Sequence, residues 1–311
     1  MFSIVTGGAG FIGSHLVDAL VARGDDVCVI DSLAAGSTHY LEEHIASGTV
    51  QFQKADLLHD NWQTRCEGAD RIFHLAADPD VRGSAAHPLS VYENNVTATV
   101  SLLEAMREHQ VPEIVFTSTS TVYGEASVIP TPEDYSPMEP ISVYGASKLA
   151  SEAMIASYCH TYGMKGSVFR FANIIGARSN HGVLFDFIRK LRQDPQKLEI
   201  LGDGKQTKSY LSVQACVDGM MYASERGPDL YNVYNIGSDD WIDVISIADI
   251  VVWEMGLSDV AYRFSGGDRG WVGDVPKMLL SIEKIKNLGW QPGIGSQESV
   301  REAVLAGLAE I

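Results

Sequence analysis

Through residue 162 the chain alternates short β-branched apolar runs with longer stretches whose apolar positions recur every three or four residues. The runs Phe2–Thr6, Asp26–Asp31, Val50–Lys54, Arg71–Leu75 and Glu113–Ser118 have strand length. Helical patterns cover Phe11–Arg23, His39–Ala46, Leu89–His109 and Tyr144–Tyr162. Strands that alternate with helices need crossover connections, so the pattern predicts an α/β fold with a Rossmann-type, doubly wound parallel sheet. Lys165–Asn173 reads as a further strand of that sheet. Beyond it, turn-rich segments at 202–204, 235–238 and 266–268 separate helical patterns at Leu184–Arg192, Val213–Glu225, Ser246–Glu254 and Glu298–Leu308. We read 1–175 as one domain and 176–311 as mainly a smaller C-terminal α/β lobe, some segments of which return to the sheet. Open α/β sheets bind ligands at the carboxyl ends of their strands, so the site is expected there, in a cleft under the second lobe.

The 311 residues carry 23 Lys+Arg against 40 Asp+Glu, a formal net charge of −17. That balance argues against a nucleic-acid partner, whose phosphates are recognised by positive surface. Cys28, Cys66, Cys159 and Cys216 are far apart with no C-x-x-C pair, which predicts reduced, buried thiols rather than disulfides. The nine histidines show no ligand spacing, so no metal is expected. Phe2-Ser3-Ile4-Val5 reads as a strand rather than a leader, and no run approaches 18 apolar residues. The expectation is a soluble cytoplasmic protein with no membrane partner.

Gly7-Gly8-Ala9-Gly10-Phe11-Ile12-Gly13 links the first strand to the first helix with G-x-x-G-x-x-G spacing. Gly7 permits the tight turn, Gly10 lets backbone approach a pyrophosphate, and Gly13 lets helix and strand pack closely. Alone, such a loop is also compatible with a plain βα connection. Asp31, at the end of the second strand, adds a carboxylate that can accept both ribose hydroxyls and repels a 2′-phosphate, which favours NAD over NADP.

Tyr144 and Lys148 stand four apart, on one face of a helix, where an ammonium lowers the pKa of the phenol and makes it a base. Tyr-x-x-x-Lys also arises often as an ordinary exposed pair. Upstream, Thr117-Ser118-Thr119-Ser120-Thr121 leaves a strand at the edge where ligands bind, although a hydroxyl run can also serve its own backbone.

Taken in order, the glycine loop, Asp31, His74-Leu75-Ala76-Ala77, Asn94-Asn95-Val96, Ser118-Thr119 with Val122-Tyr123-Gly124, and Tyr144-x-x-x-Lys148 resemble the extended short-chain dehydrogenase/reductases. More narrowly they are similar to nucleotide-sugar epimerases of the UDP-glucose (UDP-galactose) 4-epimerase type. The likeness runs on through Arg170–Asn173, Gly202-Asp203-Gly204, Lys208-Ser209-Tyr210 and Gly273-Asp274 to Leu288–Pro292. It implies NAD bound in the first domain by Gly7, Gly10, Phe11, Ile12, Gly13, Asp31, Asp56, Leu57, Leu75, Ala76, Ala77, Asn95, Thr117, Tyr144, Lys148 and Phe171. It implies a UDP-sugar held by Thr119, Asn173, Val183, Lys208, Arg269 and Asp274. In the implied reaction Tyr144 takes the O4 proton, Thr119 hydrogen-bonds the reacting oxygen, and Lys148 holds the nicotinamide ribose. Hydride leaves sugar C4 for NAD and returns to the other face of a 4-keto sugar. The family also suggests a homodimer packed through Leu89–His109 and Tyr144–Tyr162.

Two departures narrow the reaction. Related 4,6-dehydratases place Asp-Glu where this chain has Ser120-Thr121, and decarboxylases of the branch tend to carry Glu at the second position. Lys208 stands where relatives often have Arg, which gives up bidentate phosphate geometry. Met278 aligns with a residue that gates bulk at the sugar 2-position, and its flexibility leaves N-acetyl sugars open, with a uronic-acid form as a separate alternative. A non-catalytic NAD sensor or scaffold would have no need of Thr119, Tyr144 and Lys148 together. Trp253 reads as core, Trp271 as cleft lining or loop packing, Arg82 as a candidate cation near the nicotinamide, and Asp78 and Asp80 receive no role.

Overall fold

A computed structural model describes residues 1–271 and 273–310. They form two compact units that interleave along the chain. The first holds Met1–Val122, Glu139–Arg170 and Met221–Tyr234, and the second holds Tyr123–Met138, Phe171–Met220 and the chain from Asn235 onward.

The first unit follows the predicted alternation: β1 (Phe2–Thr6), α1 (Phe11–Ala22), β2 (Asp26–Asp31), α2 (Glu42–Ser47), β3 (Val50–Lys54) and β4 (Arg71–His74). After these come α3 (Pro88–Tyr92), α4 (Ala98–His109), β5 (Glu113–Thr119), α5 (Val143–Tyr162) and β6 (Lys165–Phe171). The single helical pattern expected over Leu89–His109 is interrupted by a π-turn at Glu93–Thr97, a distortion that often marks functional positions. Helix α5 starts where the Ser142 Oγ accepts from the Gly145 N–H at 3.0 Å and stops at Gly163, whose φ is +74°.

The strand expected over Lys165–Asn173 breaks at Ala172. Its second piece, β7 (Asn173–Ile175), belongs to the other unit, followed by α6 (Val183–Gln193), β8 (Lys197–Ile200), β9 (Thr207–Lys208), β10 (Tyr210–Ser212) and α7 (Val213–Arg226). Next come β11 (Tyr231–Ile236), β12 (Ile242–Asp243), α8 (Val244–Glu254), β13 (Ala261–Phe264), β14 (Lys277–Met278), α9 (Glu283–Asn287) and α10 (Ser296–Glu310). Asn235-Ile236, expected in a turn, ends β11, which joins the central sheet.

That sheet has seven parallel strands in the order β11-β6-β5-β4-β1-β2-β3. Its order reverses beside β1, which creates the switch point where such sheets take ligands. Register aligns Thr6 with both Ile30 and His74, and His74 with Phe116. The next residues on each strand therefore leave the same carboxyl edge. These are the glycine loop, Asp31, Leu75 and Thr117. In the second unit β9 lies between β12 and β14, with Met278 opposite Lys208. Its core joins Leu184, Phe185 and Ile188 of α6, Ile247 and Val251 of α8, and Val300 and Val304 of α10.

Trp253 is not core: it is 78% exposed on α8. Nearly every position of that helix is apolar, so periodicity could not select the inward face; Ile247, Ala248 and Val251 take it. The four cysteines are free and buried as expected. Among the described residues no helix is long and apolar enough to cross a membrane.

Candidate active site

Gly7 takes a φ of +73°, and a Cβ there would press on the backbone of Ala76 at 2.6 Å, so only glycine fits. A Cβ on Gly13 would strike the carbonyl oxygen of Gly7 and lie 2.8 Å from the Cα of Gly8. Gly10 differs. A Cβ there would meet only the Gly7 oxygen, at 3.3 Å, with the remaining space open. Gly10 is the N-cap of α1, and no side chain caps that end. The N–H groups of the first turn, from Phe11, Ile12 and Gly13, are thus left to a ligand, and the helix dipole favours an anionic one.

Asp31 is 8% exposed, and its oxygens accept from the backbone N–H of Ala9 at 3.0 Å and of Leu33 at 2.8 Å. Each oxygen keeps a further lone pair for a ribose hydroxyl. Beside β1, the Leu75 N–H donates to the Thr6 carbonyl at 3.0 Å, and the segment Leu75–Ala77 lies half-buried. Asp56 caps its own turn through the Leu58 N–H at 2.8 Å, and Leu57 is buried with its carbonyl accepting from Trp62 Nε1 at 3.1 Å. Thr117 is buried, and its hydroxyl donates to the His74 carbonyl at 3.4 Å. This open glycine cradle, an uncapped helix end and a carboxylate at the neighbouring strand end fit a dinucleotide pyrophosphate and its ribose.

His74 is a structural residue. Its ring is 1% exposed between Thr6 Oγ1 at 2.7 Å and Thr99 Oγ1 at 3.0 Å. Burial, and secondarily the Lys148 charge, push its pKa down to about 3, so it stays neutral.

Thr119 ends β5, and its Oγ1 lies 3.1 Å from Thr121 Oγ1 and accepts from the Thr121 N–H at 3.2 Å. The turn packs directly on α5: a Cβ on Gly145 would sit 2.7 Å from the Thr121 carbonyl oxygen. Glycine at 145 thus seats the helix start, and Tyr144 with it, against the hydroxyl turn. One turn on, Lys148 is 3% exposed, its Nζ 4.4 Å from the Phe116 ring centroid. The turn that carries Thr119 and the first turns of α5, which carry Tyr144 and Lys148, thus lie against each other within the first unit.

Their electrostatics depart from expectation. The Tyr144 phenol is pushed up to about 12, first by burial and then by the Asp78 carboxylate. Burial pushes the Lys148 ammonium down to about 7, partly opposed by Glu152. Spacing suggested that Lys148 would lower the tyrosine; burial and the Asp78 carboxylate raise it instead, and burial shifts Lys148 itself down. Asp78 is a residue that sequence reasoning left without a role. Asn95, in the π-turn, holds it in place: its Oδ1 accepts from the Asp78 N–H at 2.7 Å and its Nδ2 donates to Ser147 Oγ at 2.9 Å.

In the second unit Phe171 is buried at the end of β6. Asn173 donates from its side chain to the Ser209 carbonyl at 3.0 Å, and Val183 opens α6, packed against the core. Lys208 Nζ donates to Asp274 Oδ1 at 2.5 Å, and the other oxygen of this 6%-exposed carboxylate accepts from the Gly270 N–H at 3.0 Å. Arg269 pairs with Glu125 and donates to the Asp274 carbonyl at 3.2 Å. The two cations expected to clamp a diphosphate are thus each engaged by a carboxylate. Glu125, immediately after the V-Y-G motif, gave no signal of this in the sequence.

Residues 3–237 match the family described as NAD dependent epimerase/dehydratase. A putative UDP-glucose 4-epimerase of Methanocaldococcus jannaschii is 32% identical over 306 residues, covering 97% of this chain and 96% of its own. Among solved structures, a UDP-galactose 4-epimerase is similar with a TM-score of 0.88 at 40% identity, over 100% of this chain and 99% of that one. The UDP-glucuronic acid 4-epimerase of Bacillus cereus, in complex with UDP-glucuronic acid and NAD, is similar with a TM-score of 0.91 at 27% identity, over 100% of both chains. This agreement over the whole length, on top of the glycine cradle and the Tyr–Lys helix, places the chain in the NAD dependent epimerase/dehydratase family, as an NAD-dependent epimerase of the extended short-chain dehydrogenase/reductase group.

Proposed function

We propose that the protein inverts C4 of a UDP-hexose, interconverting UDP-glucose and UDP-galactose. This reading is supported by the packing of the start of α5, which carries Tyr144 and Lys148, on the turn that carries Thr119, where a hydroxyl, Thr121, rather than a carboxylate is bonded to Thr119. The names of the Methanocaldococcus relative and of the UDP-galactose 4-epimerase support the hexose.

Bound NAD supplies the reversible hydride acceptor that such an inversion needs. The chain's own residues do the rest. Tyr144 takes the proton from O4 and returns it after the sugar has turned over, so no net oxidation occurs. A phenol held up near 12 is a poor proton acceptor, so Tyr144 depends on positive charge arriving beside it, and Lys148 on the same helix face provides one when protonated. Thr119 fixes the reacting oxygen. Gly7, Gly10, Phe11, Ile12 and Gly13 hold the pyrophosphate, Asp31 the adenosine ribose, Asp56 and Leu57 the adenine side, and Leu75, Ala76, Ala77, Asn95, Thr117 and Phe171 the rest of the cofactor. Asn173, Val183, Lys208, Arg269 and Asp274 hold the sugar nucleotide.

A uronic acid at the same site is the second reading, favoured by the likeness to the Bacillus cereus enzyme, and an N-acetylhexosamine is a further alternative, favoured by the likeness to a UDP-N-acetylglucosamine 4-epimerase. The protein works as a cytoplasmic homodimer through the α3–α4 and α5 faces, where Leu89, Tyr92 and Tyr162 are exposed; a concentration-independent monomer in light scattering would refute this.

Incubation with a panel of UDP-sugars, resolved by NMR, should show C4 inversion alone. A 4-keto-6-deoxy product or released CO₂ would overturn the epimerase reading. Tyr144→Phe should abolish turnover while keeping the fold and most NAD affinity, and full activity in that variant would sink the mechanism.

A further inference from the structure

Glu152 lies on α5 four residues beyond Lys148, so Tyr144, Lys148 and Glu152 follow one another up a single stripe of the helix. It is 3% exposed and meets Arg170 of β6, itself 4% exposed. Arg170 Nε lies 3.1 Å from each carboxylate oxygen, and its Nη2 lies 2.7 Å from Oε2. Ser118 of β5 also donates to Oε1. One carboxylate thus ties together the helix carrying Tyr144 and Lys148, the strand residue next to Thr119, and β6.

Such a cluster is an uneconomical way to hold helix to sheet. Burying two charges carries a desolvation penalty that their attraction repays only with excellent geometry, and apolar residues of the same volume hold elements together as well or better. The apolar neighbours Ile155 and Val168 show that this interface accommodates ordinary core packing. Resting on the reading of Thr119, Tyr144 and Lys148 as the catalytic set, we propose that Glu152 is a positioning residue. Clamped by Arg170 and Ser118, it fixes the catalytic helix against the hydroxyl strand and supplies the negative charge that keeps Lys148 an ammonium.

The groups around Lys148 allow this to be separated from simple packing. Tyr144 and Glu152 approach along α5, the neutral His74 from β4, the Phe116 ring from β5, and Arg170 through Glu152 from β6; Asp78 acts on Tyr144. Of these, Glu152 is the group that opposes the effect of burial on Lys148.

The test compares kcat against pH for the NAD-loaded wild type, Glu152→Asp, Glu152→Gln, and the double variant Glu152→Gln/Arg170→Met, which leaves no single charge orphaned in the core and removes no net charge. The limb where activity falls as Lys148 loses its proton should move to lower pH by about 1–3 units in Glu152→Gln, and by much less in the double variant, where the opposing Arg170 charge leaves with the carboxylate. Glu152→Asp should keep that limb in place at a reduced kcat. In Glu152→Gln, a kcat reduced equally at all pH values, with the limb unmoved, would overturn the electrostatic role. Ser118→Ala keeps the ion pair and cuts only the tie to the hydroxyl strand. It should lower kcat at unchanged KM, and a wild-type kcat would overturn the positioning role. Titration of the Lys148 Nζ by ¹⁵N NMR reads the same shift without turnover. An unmoved Nζ titration in Glu152→Gln overturns this proposal, whereas a moved titration in a protein that epimerises no sugar overturns only the functional reading.

Discussion

Two glycines of one loop should respond to the same substitution in opposite ways. At Gly13 an alanine methyl would overlap the Gly7 oxygen and crowd the Cα of Gly8, both backbone atoms that cannot rotate aside. Helix α1 would have to move off the sheet, an overpacking that costs about 1–3 kcal/mol and lowers the Tm by about 2–10 °C. At Gly10 the backbone has a φ of −83°, which alanine adopts freely, and the methyl meets only one atom at 3.3 Å. The lost chain freedom of glycine stabilises by about 0.4–1 kcal/mol, and the poorer N-cap takes a similar amount back. Gly10→Ala should therefore melt within about 1 kcal/mol of the wild type. Its methyl, however, fills the approach to the helix end. Displacing one charge-assisted hydrogen bond there costs about 1.5–3 kcal/mol, or about 10- to 150-fold in NAD affinity. Calorimetric melting and NAD titration of cofactor-stripped protein separate the two variants. Wild-type NAD affinity in Gly10→Ala would refute the phosphate assignment, and a wild-type Tm in Gly13→Ala would refute the packing argument.

Asp31→Asn removes the charge that repels a 2′-phosphate and should narrow or reverse the preference for NAD over NADP, measured as the ratio of their Kd values. His74 binds its proton near pH 3 when folded and near 6.5 when unfolded. Between those values the unfolded chain holds more protons, so this residue makes stability fall as pH drops through the window, by up to about 1.4 kcal/mol per pH unit. His74→Gln should flatten the dependence of Tm on pH between 6.5 and 4; an unchanged slope would place the acid sensitivity elsewhere. Glu125→Gln frees Arg269 from its competitor and should tighten UDP binding by a few-fold, with the gain shrinking at high salt. Equal Kd values in both proteins would count against Arg269 as a diphosphate ligand.

The strands of the first unit were legible because a sheet covered on both faces leaves nearly continuous apolar runs, as in Ile4-Val5, Cys28–Ile30 and Ile114–Phe116. Strand β11 was not. Asn232 and Asn235 interrupt its pattern, yet both are buried and hydrogen-bonded: Asn232 to the Asp229 carbonyl, Asn235 to those of Thr131 and Ser281. A satisfied buried amide reads as a turn when its partners are unknown. The same limit applies at the site. Fixed local spacing made the glycine loop and the Tyr144–Lys148 pair readable, because both lie within one element or one turn. Glu152 with Arg170, Glu125 with Arg269, and Asp274 with Lys208 are joined only by the fold, and no interval in the sequence announces them.

The late arrival of β11 also bears on how the molecule comes to be made. Strand β6, at the edge of the sheet until residues 231–236 reach it, is complete 60 residues earlier in synthesis. As the ribosome works through the intervening chain, β6 offers an unpaired row of backbone N–H and C=O groups, the kind of edge that recruits foreign strands. A protein cut at the point where the first run of sheet strands ends would carry that edge permanently. Stalled or truncated nascent chains of this enzyme should therefore be chaperone clients until roughly three quarters of the polypeptide has emerged.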